Sequence, residues 1–151
     1  MNPRALALKN LEARLQPLRA APPAVPARGW LRAIRDALGM TTRQMAKRLD
    51  VAPSRINALE KAELQGAASL KTLREAAEAL DCALVYAIVP KLPLEALVRA
   101  RATSRVETEL ARLDHSMRLE NQALTADDLA GERSRMIAAL EQKPGRLWDD
   151  P

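Results

Sequence analysis

Apolar residues recur at helical spacing along most of this chain. Between Arg4 and Ala20, residues Leu6, Leu8, Leu11, Leu15 and Leu18 mostly share one helical face. Pro22, Pro23, Pro26 and Gly29 then break regular structure and make a semi-rigid linker. A helix is expected from Trp30 to Leu38, with Leu31, Ile34, Ala37 and Leu38 inward, Trp30 in the core and Gly39 as the C-cap. Thr41 opens the next helix as a capping box, because Gln44 stands at the third helical position and reaches back to the cap amide. Met45, Ala46 and Leu49 form its inner face. Asp50, Val51 and Ala52 make a tight turn that Val51 plugs, and Pro53 starts a helix anchored by Ile56 and Leu59. Ser69 caps a fourth helix striped by Leu70, Leu73, Ala76, Ala77 and Leu80.

The pattern then changes. Residues 82–90, CALVYAIVP, are a short apolar run with Val85, Tyr86, Ile88 and Val89, closed by Pro90, and read as a β-strand. A lone strand leaves backbone donors and acceptors unpaired, so the expected solution is antiparallel pairing across a two-fold axis in a homodimer. The alternative is a strand turned back on the N-terminal segment. From Leu92 and Pro93 the chain is helical again: Val106, Leu110, Leu113 and Met117 recur at intervals of four, three and four, with Glu120 beside that stripe and His115 opposite. Thr125 and Asp128 open a last helix with Leu129, Met136, Ile137 and Leu140, ending near Pro144 and Gly145. Trp148 either faces an interface or packs back on its own helix.

Composition narrows the class. Aromatics are 2% of 151 residues with no Phe, so a core must come from Leu, Ala, Val, Ile and Met, which favours packed helices. The expected fold is all-α with one dimerising strand, divided as 1–27, 28–91 and 92–151. One cysteine, Cys82, excludes an internal disulfide, and one histidine, His115, leaves no ligand cluster for a metal. A reducing cytoplasm fits. No apolar stretch approaches the roughly 18 residues of a membrane span, and no signal-peptide core precedes the first helix. With no glycine-rich phosphate loop, no cofactor is implied, and a non-enzymatic protein is expected because no nucleophile–base–metal set is visible.

The charge is unevenly placed. Residues 1–92 carry 15 Lys/Arg against 8 Asp/Glu, whereas residues 93–151 carry 9 against 11. A basic front suits a polyanion and the mildly acidic back a different partner.

The run QMAKRLDVAPSRINALE resembles the helix-turn-helix of phage repressors and their antitoxin relatives. In that family the N-terminal residues of the third helix enter the major groove, which here implies Ser54, Arg55 and Asn57. Arg55 can read a guanine, and Asn57 can pair with adenine or hold a phosphate. The family usually has Gln at the start of the second helix, where this chain has Thr42, with Gln44 two positions later. Thr42, Arg43, Gln44 and Lys47 are therefore the DNA-facing candidates on that helix, with Thr42, Arg43 and Lys47 assigned to phosphates. A solvated helix surface is the plainer reading of any one of these residues.

Near the C-terminus the chain spells SMRLEN, with Ser116 and Glu120 on one helical face and Asn121 next. It resembles the inhibitory motif that holds Fic-domain adenylyltransferases inactive: Ser or Thr, three residues, Glu, then Gly or Asn. The resemblance implies that Glu120 pairs with a toxin arginine that otherwise orients the ATP γ-phosphate, that Ser116 hydrogen-bonds near the same pocket, and that Asn121 shapes the helix end. The whole order, including RGWLRAIRDALGM, LREAAEALDCALVYAIVP, SMRLENQAL and RLWDDP, resembles the family called mobile mystery protein A. Its members sit beside a Fic-domain protein called mobile mystery protein B. The implied function is a dimeric antitoxin that blocks a Fic toxin and represses its own operon on double-stranded operator DNA. The alternative is a helix-turn-helix repressor with no toxin-inhibiting role.

Overall fold

Helix boundaries follow side-chain caps, prolines and left-handed residues. The computed structural model describes residues 2–120 and 125–149, and every regular element among them is helical. They are α1 (Pro3–Ala20), α2 (Trp30–Ala37), α3 (Thr42–Leu49), α4 (Pro53–Leu64), α5 (Leu70–Ala79), α6 (Leu94–Leu119) and α7 (Ala126–Gln142), followed by a 3-10 turn at Pro144–Leu147. The chain divides into two units. Residues 22–88 hold α2–α5, and α1 joins the helices that follow Val89 in the other.

In the unit of residues 22–88, the Thr41 hydroxyl accepts from the Gln44 amide (3.1 Å) while the Gln44 side chain accepts from the Thr41 amide (2.8 Å), completing the capping box. Asp50 ends α3 with φ 55°, and the Val51 amide donates to the Ala46 carbonyl at 3.0 Å, so α4 starts at Pro53 after a three-residue turn. Leu31, Met45, Ala46, Ile56, Ala76 and Leu80 make the core, with Met45 and Ile56 fully buried. Beside it lies a buried ion pair. The Arg35 guanidinium donates from Nε to Glu60 Oε1 (2.6 Å) and from a terminal nitrogen to Oε2 (3.2 Å), and gives a third bond to the Met40 carbonyl (3.0 Å). Hydrogen bonding to Glu60 raises the Arg35 pKa against the burial that lowers it. One side chain thereby ties α2, the α2–α3 loop and α4.

The start of α2 is capped from a distance. Gly29 offers no side chain, and the Leu31 amide instead donates to the Glu63 carboxylate (2.9 Å) on α4. Gly29 has φ 83°, and a Cβ there would come within 2.5 Å of Glu63 Oε2, so both backbone conformation and space require glycine.

In the other unit, α6 and α7 form a helical hairpin around Ala102, Val106, Leu110 and Ile137, with Leu147 of the 3-10 turn fully buried among them. Arg101 holds that turn by donating from Nε to the Leu147 carbonyl at 2.9 Å. Pro93 leaves the start of α6 without its own side-chain cap, and Glu12 of α1 supplies it by accepting from the Leu94 amide at 3.0 Å. Arg19 hydrogen-bonds the same carboxylate, and Arg19 first and the Leu94 amide second hold Glu12 below the usual carboxylate range.

Three expectations need correction. Residues 82–90 are not a strand. The Cys82 amide closes α5 on the Ala77 carbonyl (2.8 Å), and no backbone–backbone hydrogen bond forms from residue 83 to residue 92. Side chains that favour strands cannot make one without a second extended segment alongside, and every regular element among the described residues of this single chain is helical; the N-terminal segment, the alternative partner, is α1. Trp30 is 46% exposed rather than in the core, and Leu38 is exposed too, because α2 buries Leu31 and Arg35 and so turns its inner stripe towards the ion pair. Val51 is likewise exposed, and its amide, not its side chain, secures the turn.

Removing one partner of the buried pair leaves an uncompensated charge. Glu60→Ala is expected to lower unfolding free energy by about 3–5 kcal/mol in urea titration, with Glu60→Gln milder. A loss below about 1 kcal/mol would refute the role given to this pair.

Because the folded-state pKa of Glu12 is depressed, its contribution is complete above the ordinary glutamate range and is lost as pH falls through the lower folded value. An NMR titration should show the Glu12 carboxyl titrating below the ordinary glutamate range, with α1 resonances following the same midpoint. A midpoint at the ordinary value would contradict the cap.

Candidate functional site

The α3–turn–α4 pair presents a polar outer surface over an apolar inner one. On α3, Met45 and Ala46 are buried whereas Arg43, Gln44 and Lys47 are exposed and adjacent around the helix; Thr42 is half-buried in the first turn. Gln44 spends its side-chain oxygen on the capping box, which leaves its amide nitrogen as the available donor. Arg43 and Lys47 stand one turn apart on the same face, so that two cations line one side of α3.

On α4, Ile56, Leu59 and Glu60 turn inward and Ser54, Asn57, Ala58 and Lys61 form the outer stripe. The first turn of α4 also directs backbone N–H groups and positive dipole outward, since Ala52 provides no side-chain cap. Arg55 sits about 100° round the helix from Ser54. It lines the groove shared with Leu49, Leu59, Thr72 and Glu75. The structure thus brings Ser54 and Asn57 onto one face and sets Arg55 at its flank. Lys61 was missed in the sequence, although it follows Asn57 by four residues and lies exposed on the same stripe. The spacing alone could have found it.

The reading pair is fixed from behind. Arg35 ties Glu60 in the middle of α4, and Arg48 at the end of α3 donates to the Ala79 carbonyl (2.9 Å) and to Asp81 (3.1 Å) beyond α5. Neither anchor uses a residue of the exposed stripes.

In the other unit, Ser116 and Glu120 are both exposed at the C-terminal end of α6. Glu120 is the C-cap residue, and its amide donates to the Ser116 carbonyl (3.3 Å) and the Met117 carbonyl (3.2 Å), which keeps the two residues one turn apart. The stripe that buries Ala102, Val106 and Leu110 continues into Leu113, 41% exposed, and half-buried Met117. Asn121 lies outside the described residues.

Among the described residues no helix is long and apolar enough to cross a membrane, and no group of three His, Cys, Asp or Glu side chains is arranged to hold a metal.

Residues 31–86 match the family model described as helix-turn-helix. No curated protein and no solved structure matches the chain. The matched segment spans α2–α5 and includes both polar faces of the reading pair. The folded helix pair and this match make residues 31–86 a helix-turn-helix domain, which supports a sequence-specific, DNA-binding regulator of transcription.

Proposed function

We propose that the protein is a non-enzymatic, homodimeric antitoxin that inhibits a Fic-domain adenylyltransferase through the end of α6 and represses its own operon through α3 and α4. The observation that carries this reading is the exposed pair Ser116 and Glu120, one turn apart at the end of a helix whose apolar stripe runs on into exposed Leu113 and half-buried Met117. A carboxylate beside an open apolar face suits insertion into a cleft that offers a cation, because a carboxylate buried alone costs several kcal/mol and an arginine offsets most of that cost. The SMRLEN resemblance names the cation as the toxin arginine that orients the ATP γ-phosphate. Ser116 hydrogen-bonds beside it, and Asn121 completes the motif. The chain's order of motifs, similar to the mobile mystery protein A family, supports the same partner, a protein like mobile mystery protein B.

For DNA, Asn57 and Ser54 read base edges or phosphates from the outer stripe of α4, Arg55 reaches a guanine from its flank, Thr42, Arg43 and Lys47 hold the backbone from α3, and Gln44 faces the DNA with its amide nitrogen. Two copies would present two reading helices to a palindrome. Support for the second copy comes from Val85 and Ile88, each 85% exposed beside Tyr86, in a segment whose backbone groups have no backbone partner.

At fixed salt, Arg55→Ala and Asn57→Ala should each weaken operator binding about tenfold or more and relax sequence preference. Arg43→Ala or Lys47→Ala should weaken all sequences alike and reduce the salt slope by about one. In light scattering the wild type should have a dimer's mass and Val85→Glu with Ile88→Glu a monomer's. Unchanged operator binding would overturn the reading-helix assignment, and a monomeric wild type at micromolar concentration would remove the dimer.

Adenylylation by a Fic-domain protein encoded beside this chain should be suppressed by the wild-type chain and restored with a Glu120→Gly variant that binding measurements show is still captured. Equal activity with no added chain, with wild type and with Glu120→Gly would leave a transcriptional repressor alone.

A further inference from the structure

One face of α6 carries charges that have no ion-pair partner among the described residues. Arg101, Ser104, Arg105, Thr108, Glu109 and Arg112 line an open groove of about 340 Å³. Their spacing of three, four and seven residues puts them in one row about 16 Å long at 1.5 Å per residue. Arg101 and Arg105 each give an N–H to a backbone carbonyl of the C-terminal tail, at Leu147 (2.9 Å) and Asp149 (2.8 Å), which leaves the rest of each five-donor fork available. Among the described residues, none of Arg105, Glu109 and Arg112 has an oppositely charged group within 4.0 Å, although α6 and α7 carry such pairs elsewhere, as at Glu107 with Arg133. Arg112 is one turn before Ser116, so this row leads into the exposed end that bears Ser116 and Glu120.

We propose that this row is a second recognition surface for the protein that receives Glu120, docking on a rim that presents carboxylates opposite Arg105 and Arg112 and a cation opposite Glu109. The proposal rests on the antitoxin reading. Two features favour a protein over a nucleic acid. Glu109 stands among the arginines, where it would repel a phosphate backbone but can pair with a basic side chain. The row is also continuous with the Ser116–Glu120 end, so a partner that takes that end lies against the preceding turns of the same helix. Ser104 adds a hydroxyl that donates or accepts, and Thr108, whose hydroxyl already donates to the Ser104 carbonyl (3.1 Å), adds an acceptor. Charges at the edge of such an interface govern partner choice and association rate, whereas Glu120 governs inhibition.

The test uses the full-length chain and the purified neighbouring Fic-domain protein, with binding by calorimetry and inhibition by adenylylation. Arg105→Glu with Arg112→Glu should weaken binding roughly tenfold at low salt, less at high salt, and still inhibit fully once saturating. Arg112→Lys should bind nearly as wild type, and Glu109→Arg should also weaken binding. Retained operator binding and helical circular dichroism establish that each variant folds, and the exposed single variant Arg112→Glu serves if the double variant does not. Unchanged toxin binding by the charge-reversed chain, with Glu120→Gly still abolishing inhibition, overturns this proposal and leaves the antitoxin reading standing. A fall in operator affinity and salt slope with toxin binding intact overturns it in favour of a DNA contact. A change in the chain's own mass overturns it in favour of a second copy. A wild-type chain that neither binds nor inhibits the Fic protein defeats both readings together.

Discussion

The ion pair between Arg35 and Glu60 is the interaction on which the reading helices depend. A small core of Leu31, Met45, Ala46, Ile56, Ala76 and Leu80 holds four short helices together without large aromatic side chains to fix their angles. Apolar packing is non-directional, and Leu, Ala and Met tolerate small shifts of one helix past another. A forked guanidinium–carboxylate contact does not. Arg35 bonds both Glu60 oxygens and also the Met40 carbonyl just before the Thr41 capping box. The position of α4, and the entry into α3, are therefore referred to the same side chain. Desolvating the two charges makes the pair a poor source of net stability. What it contributes is geometry, and a helix that must fit a groove about 12 Å wide needs geometry more than extra stability.

The same device recurs in weaker form. Three helices begin with residues that cannot cap themselves, and two of them, α2 at Gly29 and α6 at Pro93, receive a carboxylate from another helix: Glu63 on the Leu31 amide and Glu12 on the Leu94 amide. A local cap such as Thr41 or Ser69 stabilises a helix whether or not the rest of the unit has folded. A distant carboxylate does so only when tertiary structure is in place. These helix starts therefore form together with the packing of α4 and α1, which ties secondary structure to the assembly of each unit. Glu12 has the further task of holding α1, which buries no residue completely.

Local chemistry is why so much of the fold was legible. The Thr41–Gln44 box, Pro53 at the first turn, Ser69 and the Thr125–Asp128 start all act within four residues, and the structure has each one. What depended on distant partners was not legible. Arg35 looks like a surface residue in sequence, so the spacing predicts an α2 that buries Trp30 and Leu38, whereas the folded helix turns Arg35 inward. Residues 82–90 have the composition of a strand, but composition does not supply the neighbour that a ladder needs. The candidate site divides in the same way. The exposure of Asn57, Ser54, Ser116 and Glu120 follows from helical spacing, whereas the displacement of Arg55 to the flank and the inclusion of Lys61 emerge once Ile56 and Glu60 define the buried side of α4.

Glu120 stands where a helix by itself disfavours it. The C-terminal end of α6 carries the negative end of the peptide dipole, and an anion there is unfavourable by about 0.3–1 kcal/mol in water. Arg118, the basic residue of that last turn, is paired with Asp114 at 3.1 Å, one turn back. An exposed carboxylate can bear so small a cost, but nothing in the described chain gives it a return. A partner's arginine would: a hydrogen bond to a charged group contributes about 1.5–3 kcal/mol, more than the dipole takes away, and the apolar residues Leu113 and Met117 beside it would be covered in the same step. Sequences that break a local rule without an internal compensation tend to do so at functional positions. Ser116 suits its helix with or without a partner, so Glu120 is the residue whose placement a partner must offset.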